Sequence, residues 1–362
     1  MTDKSKAEAP RLPLAELHCH LEGTVAPALA LRLGQRHGLD LSSLVDAEGR
    51  YRWRDFAEFL HVYDAMSAAI RTAEDYYDIT ADYYRRMAQK GLIYGEVFVS
   101  PEHGMRAGLS YPTLIDAVAS AMADVAAETG AVARIVITCV RHFGREHAEE
   151  TARLAAQFPH PYVVGFGMAG DESMGVPADY ARAFAIAADA GLGLTAHAGE
   201  LCGPESVRAT IESLPVSRIG HGVRAIEDAA LVTELADRGI TLEVCPGSNL
   251  ALGLYPSIAV HPVRRLHDAG VRVTLSADDP PFFDTDVARE YEQVRAAHGF
   301  DRTGMLGMTR RSIEAAFLDD RTRQHLYERL AECEAAIGPR RTVDELSEQE
   351  RPAPPGVTDP QQ

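Results

Sequence analysis

Short apolar runs rich in β-branched residues recur along the chain, each followed by a longer stretch in which apolar residues return every three or four positions. Eight such runs stand in order: LAELHCH (14–20), LIYGEVFVS (92–100), ARIVITCV (133–140), YVVGFGMAG (162–170), LGLTAHAG (192–199), SRIGHG (217–222), ITLEVCP (240–246) and VRVTLSADD (271–279). Helical spacing is clear between them, as in DYARAFAIAADA (179–190) and DAALVTELADRG (228–239). Runs that are apolar on both faces and alternate with helices predict parallel strands covered on both sides. Eight strand and helix units predict an α/β fold, a (β/α)8 TIM barrel. The rival, an open doubly wound sheet, would usually carry a Gly-rich phosphate loop after its first strand, and HLEGTVAP (20–27) is not one.

A long insertion, about residues 24–90, separates the first two runs, with WRDFAEFLHVYDAM (53–66) as its clearest amphipathic helix. Barrel sites sit at the C-terminal ends of the strands, so an insertion after the first strand lies over the site. Phe56, Phe59 and Leu60 are then candidate lid residues, although ordinary helix packing gives the same spacing. The pattern predicts one barrel domain over 12–338 with extra C-terminal helices, a disordered N-terminus over 1–11, and a Pro-rich flexible tail over 339–362.

Composition adds exclusions. Hydrophobic residues make up 46% and charged residues 25%, as in a globular protein with a large core. The net charge of −17 opposes a phosphate backbone, and no Lys/Arg cluster offsets it, so nucleic acid is excluded as a partner. Five dispersed cysteines without a C-x-x-C pair predict reduced thiols, and no segment reads as a signal peptide or a membrane span. The expectation is a cytoplasmic protein with no membrane partner; a homo-oligomer remains open.

Candidate chemistry clusters at the strand ends. His18 and His20 end the first run, His197 and nearby Glu200 the fifth, His221 the sixth, and Asp278 with Asp279 the eighth. In a barrel all of them converge on one rim. With fourteen histidines in the chain, one H-x-H pair is weak evidence, and a lone buried histidine is more often hydrogen-bonded core than ligand. Side chains two apart on a strand face the same way, however, so His18 and His20 can grip one ion while Cys19 faces the outer layer. In SADDP (276–280), two adjacent carboxylates at a buried strand end are expensive to desolvate without a cation or ligand; a helix N-cap before Pro280 would explain Asp279 but not Asp278. Three imidazoles and one carboxylate suit zinc with a position left for water. The three lysines, Lys4, Lys6 and Lys90, are not at strand ends, so none is placed to bridge two metals, and one Zn2+ per chain is expected. Zinc lowers the pKa of water to about 7. His221 is positioned to take a proton from that water, and Glu200 to supply one to the substrate if burial raises its pKa.

The ordered set AELHCHLEG, MAGDE, TAHAGE, RIGHG, EVCPGSN and SADDP resembles the adenosine deaminase family of metal-dependent amidohydrolase barrels, over about residues 12–335. The resemblance implies that His18, His20, His197 and Asp278 bind zinc, that His221 orients and deprotonates the attacking water, and that Glu200 protonates purine N1. It further implies substrate contacts from Asp279 at N7, from the Gly170 N–H at N3, and from His20 and residue 22. Many adenosine deaminases read HLDG, with an aspartate that helps hold the ribose hydroxyls. This chain has Glu22, as adenine and aminodeoxyfutalosine deaminases often do, whereas MAGDE looks more like the adenosine enzymes and SADDP in place of NTDDP changes only flanking residues. The leading expectation is zinc-dependent hydrolysis of adenosine, and of 2'-deoxyadenosine, to the inosine product and ammonia in purine salvage. The alternatives are an adenine deaminase, an aminodeoxyfutalosine or other 6-aminopurine deaminase, and, more remotely, an amide or ester hydrolase or a non-catalytic binding protein. His20-Leu21-Glu22 also matches half of the cytidine deaminase zinc signature, but the P-C-x-x-C half is missing.

Overall fold

The computed structural model describes residues 11–337. All eight predicted strands form: β1 Leu14–Glu16, β2 Leu92–Val99, β3 Val132–Val140, β4 Val163–Ala169, β5 Gly193–Ala198, β6 Arg218–His221, β7 Thr241–Val244 and β8 Arg272–Leu275. They pair in parallel in the order β1 to β8, with helices between them, which is the (β/α)8 barrel. The disorder expected for the chain ends falls largely on 1–10 and 338–362, outside the described residues. Among the described residues no helix is long and apolar enough to cross a membrane, and all five cysteines are free.

The first strand is shorter than its apolar run. The ladder ends at Glu16, and residues 17–20 serve the closure of the barrel instead. Leu17 and His18 donate backbone N–H groups to Ser276 Oγ (3.2 and 3.1 Å), and Ala277 N–H donates to Glu16 Oε1 (2.8 Å). His20 N–H donates to the Asp278 carbonyl (2.9 Å) and Asp278 N–H to that of His18 (3.1 Å). The seam between first and last strands therefore closes at the residues expected to hold metal. Cys19 faces the outer layer, buried among apolar residues that include Tyr83.

The predicted insertion resolves into helices Pro27–Arg36, Phe56–Ser67 and Ala73–Lys90. The last starts at a Thr72/Asp75 capping box, stops at Gly91 in the left-handed region, and packs on the helix Tyr111–Thr129. It is thus the first helix of the outer ring, and the part of the insertion that lines the cavity is the helix Phe56–Ser67. The helix Phe56–Ser67 is started by Asp55, whose carboxylate accepts the Glu58 N–H (3.0 Å). It packs Phe59 against Phe282 and Phe283 from the loop after β8, which ties the lid to the rim.

Inside the barrel Arg218 is fully buried. Its guanidinium meets Glu96 Oε2 (2.7 Å) and Glu243 Oε1 (2.6 Å) and lies 3.6 Å from the ring centre of Phe317. Two carboxylates and one cation in a dry interior are tolerated because each charge is paired, and removing one partner leaves an uncompensated charge worth several kcal/mol.

Candidate active site

Three strand ends, those of β1, β5 and β8, deliver His18, His20, His197 and Asp278 to one point, their ligand atoms all within 4.8 Å of one another. His18 Nδ1 is 2.8 Å from Glu243 Oε2, and His197 Nδ1 is 2.9 Å from the Met168 carbonyl. A carboxylate or carbonyl at Nδ1 fixes the proton there and leaves Nε2 as a lone pair facing the centre. His18 Nε2 is buried without a hydrogen-bond partner, 3.4 Å from Asp278 Oδ1. His20 Nε2 stands 3.3 Å from the same oxygen and 3.2 Å from His197 Nε2. Acceptors converging on acceptors in a buried pocket are reconciled by a cation, so the residues present fit a divalent ion, with three nitrogens and one oxygen suiting zinc.

The backbone is strained at this point. His221 and Asp278 have φ values of 59° and 64°, in the left-handed region that costs ordinary residues on the order of 1–3 kcal/mol. Gly220, next to His221 in β6, answers a crowding problem: a Cβ there would lie 2.7 Å from His18 Cε1 and 3.1 Å from His197 Nδ1. The glycine of RIGHG thus makes room for two rings that come from β1 and β5. Gly23 serves the same end, since a Cβ would fall 1.7 Å from Asp279 Oδ1.

Beside the metal group, His221 Nε2 lies 3.6 Å from Glu200 Oε2 and 3.9 Å from Asp278 Oδ2. Burial pushes His221 down to about 3 and Glu200 well above the usual carboxylate range, the latter helped by the charges of Asp278 and Glu172. Asp279 is likewise raised by burial and by Asp278 next to it. These shifts favour the protonated carboxyl and the neutral imidazole, a proton donor and a proton acceptor facing one cavity.

That cavity, about 620 Å3, is lined on the rim side by His20, Gly170, His197, Glu200, His221, Asp278 and Asp279. Its other wall includes Phe56, Phe59 and Leu60, the expected lid residues, together with Tyr63. Gly170 has φ 89°, a conformation that exposes its backbone at the cavity edge at no steric cost. Glu22 is placed differently from the other candidates. It is fully buried outside the lining, its Oε2 accepting the Tyr63 hydroxyl (3.4 Å) and its Oε1 without a partner, and burial pushes it up to about 7.

Several residues around the site escaped the sequence reading. Glu243, in ITLEVCP, holds His18 and accepts from Thr195 Oγ1 (3.1 Å). Glu172, in MAGDE, accepts the backbone N–H groups of Gly199, Glu200, Leu201 and Cys202 and the hydroxyl of Ser206, and so shapes the turn that carries Glu200. Arg141 donates to the His197 carbonyl (2.8 Å). Asn249 bridges His221 Nδ1 (3.5 Å) and His261 Nε2 (3.1 Å). A charge within an apolar strand, as at Glu243 or Arg218, was the available signal, because burial there demands a partner.

Fold and site together define a (β/α)8 barrel with a candidate metal-binding group at the C-terminal rim of its strands. The family model described as adenosine deaminase matches residues 13–333, and the chain belongs to that family of hydrolases acting on C–N bonds in cyclic amidines. An adenine deaminase of Agrobacterium fabrum is 50% identical over 318 residues, 88% of this chain and 98% of that protein. The crystal structure of adenine deaminase from Arthrobacter aurescens superposes with a TM-score of 0.83 at 30% identity, covering 89% of this chain and 98% of that one. An amidohydrolase from Burkholderia ambifaria with bound Zn gives 0.82 at 26% identity, covering 90% and 92%.

Proposed function

We propose that this protein is an adenine deaminase, hydrolysing adenine to hypoxanthine and ammonia. Deamination of a 6-aminopurine is supported by the family and by the deaminase relatives; adenosine, the leading expectation from sequence, is less well supported than the adenine alternative, because relatives sharing half of their residues over nearly their full length are named adenine deaminase. The observation that carries the mechanism is the approach of Glu200 Oε2 to within 3.6 Å of His221 Nε2 at the edge of the metal group, where burial favours the protonated carboxyl and the neutral imidazole.

His18, His20, His197 and Asp278 would hold one zinc ion, with His18 set by Glu243 and His197 by the Met168 carbonyl. Bound there, zinc supplies Lewis-acid activation of water near neutral pH. His221 takes the proton from the water that attacks C6. Glu200 gives its proton to N1, so that negative charge does not build up on the ring as C6 becomes tetrahedral. The protonated Asp279 donates to N7, and the Gly170 N–H to N3. Collapse of the tetrahedral carbon breaks the C6–N bond: ammonia leaves with a proton returned from His221, the C6 hydroxyl gives up its proton to restore the Glu200 carboxyl, and C6 becomes the carbonyl carbon of hypoxanthine. The lid aromatics exclude bulk water from these proton transfers.

The test offers zinc-loaded protein adenine, adenosine, 2'-deoxyadenosine and an aminodeoxyfutalosine-type nucleoside, following ammonia release and the purine absorbance change. Adenine should be the preferred substrate, and Glu200→Gln should retain zinc while losing most activity. Turnover of a nucleoside but not of adenine refutes the proposal.

A further inference from the structure

A second polar cluster lies in the same cavity, built by elements that supply none of the metal group. Asp64 comes from the lid helix Phe56–Ser67, His103 from the helix Pro101–Arg106, and His142 from the turn Arg141–Phe143; all three line the cavity. Asp64 Oδ1 is 2.9 Å from His103 Nε2, and Oδ2 is 3.6 Å from His142 Nε2. Burial would raise the Asp64 carboxyl, but the two imidazoles outweigh it and hold it well below the usual range.

Within hydrogen-bond distance of His103 Nε2, the carboxylate favours the proton there and makes His103 Nδ1 an acceptor, whereas His142 stands just beyond that distance and has no hydrogen-bond partner at either ring nitrogen. Both Nδ1 atoms are buried and without a hydrogen-bond partner, and the His103 side chain is only 6% exposed. His142 Nδ1 lies directly beside Gly170, 3.0 Å from the point a Cβ would occupy there. Buried ring nitrogens without a partner, His103 Nδ1 among them as a fixed acceptor, suit a ligand that brings an N–H. No Lys or Arg lines the cavity, so a phosphate has no counter-charge in it.

We propose that Asp64, His103 and His142 form a subsite that reads the N–H of the imidazole ring of a free purine and thereby selects the base against its 9-substituted derivatives. This rests on the adenine reading above. A purine whose C6 is held at the metal group turns its N3–N9 edge to the opposite end of the cavity, and in free adenine that edge carries the N9–H. That one N–H can pair with one of the histidine acceptors, and His142 Nδ1 is the one beside Gly170 at the cavity edge. A 9-alkyl or 9-ribosyl purine lacks the donor and leaves it buried and unpaired, the situation in which sites discriminate most strongly.

The probe pair is adenine and 9-methyladenine, and the measured quantity is the ratio of their kcat/KM values, which is insensitive to the fraction of a variant that folds. Wild type should favour adenine by roughly 100-fold or more. Asp64→Asn, which keeps the volume but not the charge that faces both imidazoles, and His142→Ala should each reduce the ratio about tenfold, mainly through loss of activity on adenine. If wild type deaminates adenine yet neither variant changes the ratio, the subsite is refuted and the adenine reading stands. If wild type fails on adenine and turns over adenosine, both fall together.

Discussion

Glu172→Gln is the sharpest test of how the catalytic turn is held. In the parent, one carboxylate takes five donors. Oε1 accepts from Gly199 N–H and from Ser206 Oγ, while Oε2 accepts from the N–H groups of Glu200 (3.1 Å), Leu201 (2.9 Å) and Cys202 (2.9 Å). The amide can offer its oxygen to the last three, and the Ser206 hydroxyl can rotate to accept. Gly199 N–H then faces an NH2 group and is left unpaired in a buried position, which costs about 1–3 kcal/mol. Loss of the charge weakens the remaining bonds by on the order of 1 kcal/mol more. We expect unfolding free energy to fall by about 2–4 kcal/mol in urea titrations, with faster amide exchange confined to 199–202. Activity should fall about 10-fold to 100-fold, because Glu200 sits on the loosened turn and misplacement of about 1 Å costs on that scale. A variant with parental denaturation midpoint and parental exchange at these amides would refute the account of Glu172.

Three further outcomes follow from the same geometry. Gly220→Ala places a methyl 2.7 Å from His18 Cε1, so metal content after dialysis against a weak chelator should drop at least about tenfold while the circular dichroism spectrum is kept; full retention of metal would contradict the crowding argument. Zinc at a thousandfold over its Kd should stabilise the stripped protein by about 4 kcal/mol, read as a rise in Tm that Asp278→Ala abolishes, and equal Tm values with and without zinc would rule out the site. Glu290, buried against Gly247 N–H (3.0 Å) and the Thr285 hydroxyl, is pushed by burial from 4.5 to about 7. A folded pKa above the unfolded one gives stability that is complete below pH 4.5 and lost as pH rises through 7, up to about 3 kcal/mol. Glu290→Gln should therefore be less sensitive than the parent between pH 5 and 8, whereas parallel stability profiles would exclude this carboxyl as the source.

The alternation of apolar runs and helical spacing was enough to predict the barrel, because a strand apolar on both faces can only be buried between layers. The rim candidates were legible for a related reason: in a parallel barrel the end of each strand has a known destination, so His18, His20, His197, Glu200, His221, Asp278 and Asp279 could be assigned to one place before any distance was known. The lid helix was legible too, and Phe56, Phe59 and Leu60 do line the cavity.

What only the tertiary structure decided are the meetings between residues far apart in the chain whose sequence context is ordinary. His18 finds Glu243 225 residues away, and Asp64 meets His103 and His142 across three separate elements. No local pattern encodes such pairs, since they depend on strand register and on how a lid settles over a rim. The same holds for Glu22. Sequence placed it beside the substrate, but the fold buries it under Tyr63, outside the residues that line the cavity. Periodicity determines which face of an element is buried; only packing decides which buried polar groups end up touching, and that choice sets the chemistry of the site.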